Sequence, residues 1–101
     1  MDEIGISVIT VGELLSGFKG GTRESKNREE LDFFLDSPRV VLYELDTITA
    51  DYYSEIITNL RKAGTPIPTN DIWIAAVAFQ HGLTLFTKDT HFSYIQGLMI
   101  A

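Results

Sequence analysis

Pro68-Thr69-Asn70-Asp71-Ile72-Trp73-Ile74-Ala75-Ala76 and Leu85-Phe86-Thr87-Lys88-Asp89-Thr90-His91-Phe92 are the stretches on which the fold turns. Each puts one carboxylate where a strand and a helix meet. Asp71 opens a helix that is apolar almost all round from residue 72 to 79, the pattern of a buried helix. Asp89 follows an apolar run at residues 83–87 that reads as a strand. A third acid, Glu13, stands in Ile9-Thr10-Val11-Gly12-Glu13-Leu14, at the start of another helix. Open α/β sheets gather functional residues at one end of their strands, so three acids at such junctions can converge. Crowded carboxylates repel unless a cation holds them, and hard oxygen donors favour Mg²⁺ or Mn²⁺.

Working outward, residues 4–9 read as a short buried strand, with Thr10 as N-cap of the helix that carries Leu14, Leu15 and Phe18. Residues 22–36 read as a charged, solvated helix docked by its last turns and ended before Pro38. Residues 40–43 form a second apolar strand. Asp46 or Thr47 caps a helix whose Ile48, Tyr52, Ile56 and Leu60 recur every four residues, with Gly64 just past its end. Thr69 or Asn70 caps the buried helix, residues 89–96 are loop or short helix, and residues 98–100 make a final strand. Alternating strands and helices, each strand a continuous apolar run, predict an α/β fold with a parallel sheet flanked by helices in three layers. With 101 residues, 45% of them hydrophobic, the chain is expected to form a single domain over 1–101.

Composition narrows the function. There is no cysteine, which excludes a disulfide framework, a zinc–thiolate site and a thiol nucleophile, and fits a cytoplasmic protein. The longest apolar run falls far short of the roughly 20 residues that span a bilayer. A net charge of −6 argues against non-specific nucleic-acid binding, but leaves room for metal-assisted cleavage.

Each acid also has a plainer reading. Thr10-x-x-Glu13 is a capping box, in which the glutamate returns to the N-cap amide. Asp71 can simply favour a helix N-terminus, and Asp89 can be a turn residue. His91 reads as a pH-dependent contact or, more plainly, as packing or solvent-exposed, Lys88 as an exposed lysine, and His81 as a partner for the helix C-terminus.

The wording around the acids resembles the PIN-domain family, and most closely the toxin subunits of the VapBC type. The matching segments are Ile6-Ser7-Val8-Ile9-Thr10-Val11-Gly12-Glu13-Leu14 with Gly17, Asn70-Asp71-Ile72-Trp73-Ile74-Ala75-Ala76, and Leu85-Phe86-Thr87-Lys88-Asp89-Thr90-His91-Phe92 followed by Ile95-Gln96-Gly97-Leu98. By that resemblance Glu13, Asp71 and Asp89 ligate metal and Thr87 is an active-site hydroxyl. Asn70 and Lys88 would lie beside substrate. The resemblance implies Mg²⁺- or Mn²⁺-dependent cleavage of RNA, with an antitoxin protein as partner.

The family opens with a further strand and an aspartate that this chain does not show. Asp2 and Glu3 precede a strand, and so do not replace that acid. The expectation is therefore an N-terminally truncated PIN-like domain with weak or no activity, which completes its sheet as a homodimer or higher homo-oligomer. The alternative is a non-catalytic remnant serving as a binding or self-association module.

Overall fold

The computed structural model describes residues 3–101, so Asp2 lies outside the described residues. Two compact units are present, Met1–Glu44 and Leu45–Ala101.

In the first unit, β1 (Ile4–Ser7) and β2 (Val40–Tyr43) pair in parallel, Ile4 opposite Val40 and Ser7 opposite Tyr43. Between them run α1 (Val8–Lys19) and α2 (Glu24–Leu35). The first strand is shorter than its apolar run, because Ser7 diverts the chain. Its hydroxyl accepts the Thr10 N–H at 3.1 Å, which makes Ser7, not Thr10, the N-cap of α1. Helix α2 is held by its buried Leu31, whereas Phe33 is 84% exposed and does not dock.

In the second unit, α3 (Thr47–Ala63) and α4 (Thr69–His81) form an antiparallel hairpin, the start of α3 meeting the end of α4. Gly64 adopts φ 72° past the end of α3, a left-handed turn that needs no Cβ. Pro68 precedes α4 and is its N-cap, its carbonyl accepting the Asp71 and Ile72 N–H groups. Thr69 and Asn70 are thus the first helical residues, and neither caps the helix with its side chain. Ile56 and Leu60 of α3 and Ile72, Ala75 and Ala76 of α4 share one core with Phe92 and Ile95. The two alanines are wholly buried, and their size lets the helices approach closely. Ile48 leaves the expected stripe and is exposed; Thr49, one residue on, is buried in its place.

Thr49 is held by polar partners. The Asp46 carboxylate accepts the Thr49 N–H, and the Thr49 hydroxyl accepts the Asp46 N–H, each at 3.0 Å, a reciprocal capping box. The Thr49 hydroxyl donates to Gln80 Oε1, and the Gln80 amide donates to Asp46 Oδ1 at 3.0 Å. The two helices are tied there by side-chain hydrogen bonds.

Residues 83–87 and 98–100 pair in parallel only at the bridge of Leu85 with Ile100. Leu85 packs on the core while Phe86 is 81% exposed, so this run has one covered side rather than two. A short 3₁₀ helix, Thr90–Tyr94, follows. The fold is α/β with parallel strand pairing, as the alternating pattern predicts. Among the described residues no helix is long and apolar enough to cross a membrane.

Candidate metal centre

Asp71 occupies the first turn of α4, next to Ile72, which is 2% exposed. Burial of that neighbour fixes the backbone beneath the carboxylate, leaving the Asp71 side chain only 13% exposed. Asp89 reaches the same place by a different route. Its N–H donates to Thr87 Oγ1 at 3.0 Å, and its own Oδ1 accepts the His91 N–H at 2.9 Å. Thr87 thus shapes the turn and Asp89 caps the 3₁₀ helix, a common use of both residue types. Phe92, 4% exposed and part of the core, anchors that helix one residue further on.

Asp71 and Asp89 are brought together, and His91 lies between them. His91 Nδ1 stands 3.1 Å from Asp71 Oδ2 and 3.1 Å from Asp89 Oδ1. One donor atom from each of the three residues lies within 4.8 Å of the others. His91 is 45% exposed, within the reading of it as a packing or solvent residue, and it is also a member of the cluster. Its position two residues after Asp89, in a turn that the aspartate itself caps, was the signal available in the sequence.

The remaining candidates are placed as follows. Asn70 is exposed at the second position of α4, and Lys88 is exposed between Thr87 and Asp89. Glu13 belongs to the first unit and is exposed on α1. Because Ser7 caps α1, Glu13 falls in the second helical turn and has no part in a capping box. The structural role weighed for it is thereby removed.

The arrangement offers two carboxylate oxygens and one imidazole nitrogen facing one another on a partly exposed surface. Hard divalent cations take such oxygens, and borderline transition metals accept the nitrogen as well.

Comparison with known proteins finds ribonucleases among the relatives of this chain. Ribonuclease VapC4 of Mycobacterium tuberculosis is 30% identical over 91 residues, covering 90% of this chain and 70% of that protein. Ribonuclease VapC2 of Rickettsia felis is 32% identical over 98 residues, covering 96% of this chain and 72% of its own length. The crystal structure of VapBC2 from Rickettsia felis, bound to a DNA fragment from its promoter, superposes with a TM-score of 0.87 at 31% identity. It covers 98% of this chain and 74% of that one. The PIN domain family matches residues 1–98, across both compact units, and the chain belongs to that family.

Proposed function

We propose that this chain is a divalent-metal-dependent endoribonuclease of the toxin type, hydrolysing RNA phosphodiesters. One observation carries the reading: Asp71 and Asp89, far apart in sequence, present their carboxylates to a common point in a chain whose relatives are ribonucleases. The donor chemistry fits Mg²⁺ or Mn²⁺, which favour carboxylate oxygens. Asp71 and Asp89 would hold the cation, and Glu13 is proposed as a further ligand on the strength of its motif.

When bound, such a cation supplies an activated water and positive charge against the scissile phosphate. The chain's own residues do the positioning. Thr87 holds the turn that aims Asp89, and α4 holds Asp71 on a rigid helix rather than a loop. Lys88 and Asn70, both exposed beside the acids, are suited to contact the RNA backbone. Neither cysteine nor a serine nucleophile is required.

The proposed protein partner is a cognate antitoxin, as the VapBC resemblance implies, and the proposed location is the cytoplasm. Self-association is a further part of the proposal, supported by the open strand edges of the two-stranded β1–β2 sheet among the described residues. Sedimentation over a range of concentrations tests it, with an invariant monomer as the contrary result.

The activity is tested by RNA cleavage with Mg²⁺ or Mn²⁺, with and without chelator, in wild type and Asp71→Asn. The amide preserves size, so the variant should fold. Cleavage should vanish with chelator and fall at least about 100-fold in Asp71→Asn, because misplaced metal and water cost that much. Undiminished cleavage under either condition would exclude the metal mechanism. A folded protein that binds antitoxin but never cuts RNA would favour the non-catalytic reading.

A further inference from the structure

We propose that His91 is itself a metal ligand, binding through Nδ1, and that it tilts the site toward transition metals over Mg²⁺. The inference rests on the metal-dependent reading given above. Its starting point is that one nitrogen stands at the same 3.1 Å from two carboxylates. A neutral imidazole carries one proton, so Nδ1 can donate along one direction only. Hydrogen-bond geometry is met toward Asp71 Oδ2, whereas Asp89 Oδ1 already accepts the backbone N–H of His91. The second short approach is left without a directional bond of its own.

A shared cation accounts for both approaches. Adjacent ligands at right angles on a metal with bonds near 2.1 Å lie about 3.0 Å apart. The two His91 separations match that spacing, and one donor atom from each of the three residues lies within 4.8 Å of the others. The ring is also held in place. Its backbone is bound to Asp89 on one side and followed by buried Phe92 on the other. With the side chain 45% exposed, a hydrated ion can reach it.

Replacing one oxygen by nitrogen changes which ion is preferred. Mg²⁺ holds to oxygen and water, whereas imidazole suits later divalent ions and gives Mn²⁺ an advantage over Mg²⁺. His91→Gln should therefore weaken Mn²⁺ binding by about tenfold or more, the scale on which metal sites respond to losing a supporting group. Mg²⁺ affinity should change much less.

The experiment titrates Mn²⁺ and Mg²⁺ calorimetrically into wild type, His91→Gln and Asp71→Asn, with folding checked by Trp73 fluorescence. Pulsed EPR of the Mn²⁺-loaded wild type supplies a readout that does not depend on any variant. The expected result is an imidazole ¹⁴N coupling in wild type that is absent from His91→Gln, which also excludes His81 as its source. Wild-type Mn²⁺ bound without ¹⁴N coupling, or an unchanged preference for Mn²⁺ over Mg²⁺ in His91→Gln, would overturn the assignment. In either case, weakened binding in Asp71→Asn would leave the metal-dependent reading standing. Unaltered binding in Asp71→Asn would remove that reading and this one with it.

Discussion

The Asp46 carboxylate is held below the ordinary carboxylate range, first by the Thr49 N–H, then by the Gln80 amide and the Thr49 hydroxyl. A depressed acid stabilises the fold above its unfolded pKa of about 3.9, and that contribution is lost as pH falls through the lower folded value. Asp46→Asn should thus be less stable than wild type at pH 6, and the gap should close on acidification toward pH 3. Urea denaturation followed by Trp73 fluorescence measures this, and a gap independent of pH would contradict it. Asp46 was readable as a cap from its place before an amphipathic run. Gln80 was not, because its partners lie more than 30 positions away. The capping-box alternative for Glu13 fails for a related reason. Thr10-x-x-Glu13 has the form of a capping box, but Ser7, three residues earlier, competes for the same turn and wins it.

Elements with a long period were more legible than short ones. Helix α4 and the second half of α3, at Ile56 and Leu60, follow their apolar spacing, and Ile72 belongs to the core they share. Ile72→Ala should cost about 2–5 kcal/mol, the range for emptying a large aliphatic site in a packed core. The Tyr53–Trp73 stack, with ring centroids 4.0 Å apart, gives a fluorescence signal for that loss. A cost below about 1 kcal/mol would mean the hairpin closes over the cavity. The apolar run at residues 83–87 was the opposite case. Composition makes it a strand, yet ladder pairing is a property of its neighbours, and the described residues pair it at one point. Its functional consequence survives, since the turn after it still delivers Asp89 to Asp71.

For the chain as a whole, family membership was legible because three motifs occur in order, each tied to a position that chemistry constrains. Charge was a weaker guide: −6 speaks against a broad nucleic-acid surface and says nothing of a few local contacts. The hydrogen bonds among Asp46, Thr49 and Gln80 carry a consequence for heat. They lie at one end of the α3–α4 hairpin, and Asp71 lies nine residues from Gln80, about 13.5 Å along α4. Asp46 is exposed and Gln80 half-buried, so their bond meets solvent, whereas Thr49, Ile72, Ala75 and Ala76 are buried. Peripheral polar bonds open locally at lower cost than an apolar core melts. On warming, α4 should slip along α3 before either helix is lost, carrying Asp71 out of reach of Asp89. Inactivation should then precede melting by several degrees, and Gln80→Ala should widen that interval by lowering the inactivation temperature more than Tm. Paired activity and circular-dichroism scans would show it, and coincident curves in both proteins would refute it.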